Sequence, residues 1–343
     1  MNGTAAVSAR ILGVTAATLT LLLAALVFGA AVGETRIPFE TVARTVANRL
    51  WDAGYALDPI DAGIVWNYRL SRAVVAAACG AALAVSGVVL QSLLRNALAD
   101  PYLLGISAGA SSGAVSVAIL GFGGGMLSLS AGALLGAVVA FGFVAALAVL
   151  AGRGPVAIIL AGIAGSQLFN ALTSLIVTKS ANAEQARGIM FWLLGNLSGV
   201  RWPDVWLAVP IAAGGLVVCL LHARALDAFA FGPDAAASLG VPVRRVRVVL
   251  IGATALMTAV MVSIVGSIGF VGLVIPHAAR LVVGVRHGAL LPASALIGAL
   301  FMIGADVLSR TVIPGQVLPI GVMTALVGAP AFALILIRRP VTR

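Results

Sequence analysis

The sequence is poor in charged residues. Only 9% of its 343 residues are Asp, Glu, Lys or Arg, whereas soluble globular proteins have roughly 25%. Apolar residues make up 61% of the chain, and the mean hydropathy is +1.13. This composition excludes an ordinary soluble protein and predicts a polytopic membrane protein. The net charge of +10 comes without a basic run. We therefore assign it to arginines that flank membrane spans, and not to nucleic-acid binding.

A single lysine excludes one route of ATP hydrolysis. The phosphate-binding loop GxxxxGK[ST] needs a lysine that contacts the β- and γ-phosphates. Lys179 lies in LIVTKS, where Thr178 stands in place of the required glycine. The sequence therefore predicts a transport subunit without its own ATPase site, so any ATP that drives it would be hydrolysed by a partner.

Cysteine and histidine are also scarce. The two cysteines lie in apolar stretches, where cysteine behaves as a small apolar residue, so we expect no disulfide. The three histidines form no HExxH pattern, and we expect no metal site, no cofactor and no enzyme active site. These residues are Cys79, Cys219, His222, His277 and His287.

Long apolar stretches make up most of the chain. About ten of them are bounded by charges, proline or glycine and are candidates to cross about 30 Å of hydrocarbon as helices. The first is longer than the apolar core of a signal peptide, so we predict that it is a membrane helix. The stretches cover residues 11–33, 70–94, 102–120, 127–151, 155–178, 204–222, 246–265, 270–285, 289–308 and 317–337. We expect an all-α protein in which residues 1–343 form one transmembrane domain.

An even number of spans places both termini on one side of the membrane. If that side is the cytoplasm, the arginines at 244, 245 and 247 are cytoplasmic and most acids of the chain lie outside. The Lys/Arg asymmetry is modest, but it follows the positive-inside rule. We predict N-in and C-in termini, an outer loop at about 34–68 and a cytoplasmic loop at about 224–245.

The cytoplasmic loop contains FGPDAAASLGVPVRRVR, residues 231–247. Pro233 and Asp234 suit the start of a helix, and Gly240 followed by Pro242 suits its end. The pattern predicts a helix of two or three turns with a face of small side chains. Such a face allows close docking on another protein, although a simple helical linker fits the pattern equally well.

Asp306 is the acid nearest to the membrane interior. Arg310 follows it by four residues, a spacing that favours a local ion pair on a helix. A proton-coupled secondary transporter would use such a carboxylate as a relay. We favour the ion pair, and a structural membrane scaffold remains a further alternative.

Three long motifs resemble the FecCD permease family, which supplies the membrane subunits of ABC importers for ferric siderophores, haem and cobalamin. They are RLSRAVVAAACGAALAVSGVVLQSLLRNALADPYLLGISAGA, GSIGFVGLVIPHAARL and ADVLSRTVIPGQVLPIGVMTALVGAPAF. They occur in family order from about residue 69 to 337. The resemblance implies the type II ABC importer permease fold with ten helices per chain and a bacterial inner-membrane location.

The resemblance also implies partners. The family forms homodimers with the translocation path at the dimer interface. Each dimer binds two copies of a separate ABC ATPase and receives cargo from a periplasmic or surface-tethered binding protein. We therefore expect this chain to be a permease subunit that moves an iron complex, with cobalamin as the alternative cargo; the residues do not separate siderophore, haem and cobalamin.

Residue roles can be carried over at matching positions. The short helix resembles the coupling helix that docks in the ATPase, and family arginines at the outer helix ends meet glutamates of the binding protein. The loop between the second and third spans resembles a cytoplasmic gate, and we expect the fifth span to line the path. The assigned residues are Gly232, Ala236, Leu239 and Gly240 for coupling; Arg69, Arg72 and Arg310 for docking; Asn96 and Leu98 for the gate; Ser166, Gln167 and Asn170 for the path.

Some positions depart from the family pattern. Ser71 and Ala97 replace prolines of the family motifs, which loosens the turns, and Val317 stands where a glutamate often precedes Leu-Pro. The last departure weakens the docking assignment of Arg310. His277 follows a proline, as in many members, and we interpret it as structural and not as a haem ligand.

Overall fold

A computed structural model describes residues 2–338, except 34, 36, 153 and 180–182. The described part is helical, without strands. Besides a π-helical stretch at Ile64–Leu70 and a 3₁₀ turn at Pro101–Leu104, the helices are α1 Asn2–Ala31, α2 Phe39–Trp51, α3 Pro59–Gly63, α4 Ser71–Leu93, α5 Ile106–Leu120, α6 Leu129–Leu150, α7 Pro155–Thr178, α8 Ala183–Leu193, α9 Trp202–Leu221, α10 Ala223–Phe229, α11 Pro233–Ser238, α12 Val243–Val265, α13 Val271–Val283, α14 His287–Thr311 and α15 Ile320–Arg338.

Helix α4 is the centre of the fold. Almost every residue from Ser71 to Leu93 is buried, and the helix packs against α9, α12, α13 and α14. Its small and apolar side chains permit contact on all sides, as expected for a helix without a polar face. The other apolar helices surround it and expose large apolar side chains such as Leu135 and Val139 on α6. A membrane, and not water, is the solvent that suits such a surface.

The described residues contain six helices that are long and apolar enough to cross a membrane. Four shorter apolar helical segments accompany them, at Ala17–Ala31, Ile106–Leu120, Val271–Val283 and Ile320–Ile335. Each of the ten predicted stretches coincides with one of these helices, but ten crossings and the N-in, C-in orientation remain predictions. The predicted fifth span agrees with α7 at both ends.

Glycines allow the helices to approach closely, and several are spaced four residues apart, such as Gly109 and Gly113 of α5. A Cβ atom built on Gly113 of α5 would lie 2.0 Å from the carbonyl oxygen of Gly132 on α6. The same holds at the centre of the fold, where a Cβ atom on Gly80 of α4 would lie 2.0 Å from the carbonyl oxygen of Gly298 on α14. Small residues at such crossings let backbones touch, which strengthens packing between membrane helices.

Both predicted loops contain helices. The outer stretch 34–68 includes α2, α3 and most of the π-helical stretch, and Val42 of α2 packs with Ala30 and Val65 in a small apolar cluster. The stretch 224–245 includes most of α10 and all of α11, and α12 already begins at Val243. Glu34 and Arg36 of the outer stretch, Arg153 and the C-terminal residues 339–343 lie outside the described residues.

Candidate functional site

Helix α11 is the short helix predicted between the sixth and seventh apolar stretches. It has six residues, fewer than the two or three turns expected. Pro233 occupies its first position, and Gly240 ends it with φ of 81°. The N–H groups of Gly240 and Val241 donate to the carbonyls of Ala237 and Ala236. This is the double bond pattern of a glycine-terminated helix, and it requires the left-handed backbone that glycine adopts without strain.

The helix divides the predicted coupling residues between two faces. Ala236 and Gly232 are buried against the rest of the chain, so their side of α11 faces inward. Leu239 is 70% exposed, Gly240 is exposed, and Phe231 just before the helix is 78% exposed. The sequence assigned all four small and apolar positions to a partner. The structure instead presents Phe231 and Leu239 as the apolar outer surface.

A hydrogen-bonded network joins the region of α11 to the membrane helices. His287, at the start of α14, contacts the Asp227 carboxylate through Nδ1 at 2.7 Å and the Ser92 hydroxyl through Nε2 at 2.6 Å. The backbone N–H of His287 also donates to Asp227 Oδ1 at 2.9 Å. The network therefore links α10, α14 and the end of α4.

Electrostatics favour the charged form of Asp227 in this network. Burial raises the pKa of Asp227, but the hydrogen bonds from His287 and the charges of His287 and Arg286 outweigh it, so the net direction is downward. The sequence analysis missed this network because its three side chains are far apart in the chain. Their shared position at ends of apolar stretches was the only available signal.

The predicted gate loop is held by specific hydrogen bonds. The Asn96 side chain accepts from the N–H of Leu98 at 2.9 Å, which fixes a tight turn. His277 of α13 contacts the carbonyl oxygen of Ala97 at 3.0 Å, and Arg95 adopts a left-handed φ of 47°. Leu98 is exposed at the tip of this turn. His277 thus supports the gate loop, in agreement with the structural interpretation of this residue.

The gate loop meets the predicted path-lining helix in a cleft of 260 Å³. Asp100 and Tyr102 line one side of it, and Ser166 and Gln167 of α7 line the other. Asn170, one turn further along α7, is exposed. Burial raises the pKa of Asp100 to about 6, although the hydrogen bond from the N–H of Tyr102 opposes this shift. The end of the gate loop therefore lies beside two of the predicted path residues, although Asn96 and Leu98 themselves do not line this cleft.

The three arginines predicted to dock a binding protein are buried. Arg72 Nε lies 2.5 Å from Oδ1 of Asp306, and an Arg310 nitrogen lies 2.9 Å from Oδ2 of the same carboxylate. The Asp306–Arg310 pair confirms the i,i+4 interaction expected from the sequence. Arg72 also donates to the hydroxyls of Ser198 and Ser309. The ion pair between Arg72 of α4 and Asp306 of α14 joins these two helices.

Arg69 of the π-helical stretch and Arg310 of α14 both donate hydrogen bonds to backbone carbonyls at the end of α1 and just after it. Arg69 donates to the carbonyls of Ala31 at 2.8 Å and Thr35 at 2.6 Å. Arg310 donates to the carbonyl oxygens of Val32 at 2.8 Å and Gly29 at 2.9 Å. In this conformation the guanidinium groups bind the chain itself, so their docking of a binding protein remains a prediction.

Comparisons with known proteins agree with these features. The sequence pattern of the FecCD transport family matches residues 21–338. The chain is 40% identical to the ABC transporter permease YvrB of Bacillus subtilis, with 93% of this chain and 92% of that protein covered. It is 38% identical to the cobalamin import system permease BtuC of Halobacterium salinarum, with 97% and 98% covered.

A solved structure has the same fold. It is an inward-facing transporter described as metal-chelate type, with a TM-score of 0.82 and 29% identity, over 95% of this chain and 99% of that one. Together with the buried central helix and the exposed short helix, these matches identify the chain as a polytopic membrane permease of the FecCD transport family.

Proposed function

We propose that this chain is the permease subunit of a type II ABC importer that moves a metal chelate across the bacterial cytoplasmic membrane. A separate ATPase supplies the energy, and a binding protein outside the cell delivers the cargo. The single observation that carries this proposal is the exposed apolar surface of Phe231 and Leu239 at α11. It protrudes next to a network that reaches the membrane helices, as a docking surface for an energising partner requires.

The absence of a phosphate-binding loop supports a partner ATPase. A secondary transporter would instead need an ion-coupling group inside the membrane. Among the acids of the predicted spans, Asp306 lies nearest to the membrane interior, and Arg72 and Arg310 both pair with it. Both oxygens of this carboxylate thus pair with guanidinium groups of the chain itself, an arrangement that suits a structural role between α4 and α14.

The proposed mechanism uses the Asp227–His287–Ser92 network, which joins α10, next to α11, to the membrane helices α14 and α4. ATP binding closes the ATPase subunits, and their motion moves α11 and α10. The Asp227–His287–Ser92 network transmits this motion to α14 and α4. The path lies at the interface of two copies, along α7, whose exposed residues include Gln167 and Asn170. The gate loop at Leu98 then opens towards the cytoplasm, with both termini on that side.

Cobalamin is the cargo that we favour, and a ferric complex is the second candidate. Several relatives are named as cobalamin or vitamin B12 permeases, including BtuC of Halobacterium salinarum at 38% identity over nearly the whole of both chains. The sequence alone favoured an iron complex because most family members carry one. The metal-chelate description of the solved relative suits either cargo.

Uptake into proteoliposomes tests the proposal. The permease is reconstituted with an ATPase and a binding protein that co-purify with it, and ATP-dependent accumulation of radiolabelled cyanocobalamin is compared with that of a ferric siderophore. We expect cobalamin uptake that requires ATP and persists with a protonophore. Uptake that needs a proton gradient and ignores ATP would contradict the ABC mechanism, whereas ATP-driven uptake of the iron complex alone would correct only the cargo.

A further inference from the structure

An apolar groove opens where α12 begins. It lies between the end of α6, the start of α7 and the first turns of α12, and its volume is 640 Å³. Its walls include Phe141 and Val144 of α6, Ile158 of α7 and Ile251 of α12. The volume falls within the range of about 300–1,000 Å³ that is usual for ligand sites.

Two arginines lie at one end of this groove. Arg244 and Arg247 are three residues apart on α12, so they share a helix face. Arg244 is exposed and Arg247 is half-buried. Among the described residues that line the groove, none is acidic. The groove therefore combines a long apolar wall with two positive charges at its mouth.

The surroundings indicate that the groove faces lipid. Val149 and Leu150 at the end of α6 are 50% and 84% exposed, and Val156 at the start of α7 is exposed as well. A soluble anion would leave the apolar wall uncovered, and an uncharged hydrocarbon would not complement the two positive charges. A phospholipid with a net negative charge satisfies both parts of the groove, and basic pockets between membrane helices suit such headgroups.

We propose that this groove is a binding site for an anionic phospholipid, with its phosphate between Arg244 and Arg247 and an acyl chain along α6. The site lies directly after α11 in the chain. A bound lipid would therefore hold the start of α12 against α6 beside the proposed coupling surface.

Native mass spectrometry of the delipidated full-length protein tests this site. The probes are 1-palmitoyl-2-oleoyl phosphatidylglycerol and the phosphatidylcholine with identical acyl chains. We expect one phosphatidylglycerol to be retained much more strongly than phosphatidylcholine. Arg244→Gln with Arg247→Gln should weaken its binding about 30-fold, at about 5-fold per charge. Arg245→Gln is the matched control, since Arg245 lies on the same helix but does not line the groove, and should change binding less than about 2-fold.

A second pair of variants tests the apolar part of the site and keeps the arginines. Ala145→Trp fills the groove and should expel the lipid, whereas Ala146→Trp changes an exposed neighbour outside the groove and should not.

Equal retention of the two lipids, or unchanged binding in the double arginine variant, would overturn the proposal. Competition by glycerol 3-phosphate would assign the arginines to a soluble anion. Displacement of the lipid by a bound partner protein or a second copy would assign the groove to a protein interface.

Discussion

Replacement of Arg72 by leucine should destabilise the protein strongly. Arg72 is buried and donates to Asp306, Ser198 and Ser309, so leucine would remove an ion pair and two further hydrogen bonds. Loss of one partner from a buried pair costs about 3–5 kcal/mol because the other charge stays buried. Asp306 keeps Arg310 as a partner, so we expect the low end of that range, about 3 kcal/mol.

Asp306→Leu should be worse than Arg72→Leu, at about 5 kcal/mol, because it leaves two buried guanidinium groups without their carboxylate. The double variant should lose less than the sum of the two single losses, since the second substitution removes a charge that the first left unpaired. The matched control is Arg44→Leu. Arg44 pairs with Glu40 on the exposed face of α2, where such pairs contribute about 0.5 kcal/mol or less.

The assay is equilibrium unfolding in mixed micelles with increasing dodecyl sulfate, followed by tryptophan fluorescence. The free energy of unfolding should be highest, and nearly equal, for the wild type and Arg44→Leu. It should be lower for Arg72→Leu and lowest for Asp306→Leu. If Arg72→Leu unfolds with the same free energy as Arg44→Leu, the ion pair across α4 and α14 does not hold the fold together. Such a result would return Arg72 to the docking role expected from its sequence motif.

Three further predictions concern packing, coupling and pH. Gly80→Val should abolish folding, because its Cβ would overlap a carbonyl of α14. Gly142→Val should be tolerated, because no described atom lies within 4 Å of a Cβ built at that glycine. The yield of monodisperse protein measures both effects. His287→Gln should keep ATP hydrolysis but lower the cargo moved per ATP. His222→Gln should leave both unchanged, because the His222 ring contacts the carbonyl oxygen of Val218, one turn earlier in the chain. Asp100→Asn should raise the thermal stability at pH 8, raise it less at pH 5, and leave it unchanged only below about pH 3.8.

The pH prediction follows from the direction of the pKa shift. Burial raises the pKa of Asp100 from 3.8 in the unfolded chain to about 6, so its ionisation at pH 8 destabilises the folded state. This cost shrinks as the pH falls below about 6, and it is lost only below about 3.8, where the carboxyl is protonated in the unfolded chain as well. Asp58→Asn is the control, because Asp58 makes the same cap hydrogen bond on an exposed helix. A stability difference between wild type and Asp100→Asn that does not vary with pH would contradict the assignment.

The predictions for Gly80→Val and His287→Gln can each be contradicted by a single result. Normal folding of Gly80→Val would show that α4 and α14 are further apart than the structure places them. A proportional loss of ATP hydrolysis and transport in His287→Gln would show a general structural defect and no specific role in coupling.

Local patterns predicted much of the fold. The ten apolar stretches, the helix stop at Gly240 and the Asp306–Arg310 pair depend on neighbours within a few residues, and the structure contains each of them. These features follow from helix periodicity and backbone freedom, which a single sequence displays directly.

Contacts between distant segments could not be predicted in this way. Arg72 pairs with a carboxylate 234 residues away, and His287 meets Ser92 across 195 residues. An arginine at the end of a span has the same sequence pattern whether it faces water or turns inward. Whether such an arginine faces water or turns inward depends on how α1, α4 and α14 pack around Asp306. The sequence does not show this packing, and it therefore favoured external docking for side chains that the structure buries.

The central claim is that α11 couples this permease to a separate ATPase, and affinity purification tests it most directly. Tagged chain is extracted gently from native membranes, and its partners are identified by mass spectrometry with an ATP hydrolysis assay. We expect about one ATPase chain per permease, lost in Leu239→Arg and retained in Leu50→Arg, because Leu50 is also exposed, at 59%, but lies on α2 of the predicted outer stretch. Recovery of the ATPase with Leu239→Arg, or of this chain alone without ATP hydrolysis, would contradict the account.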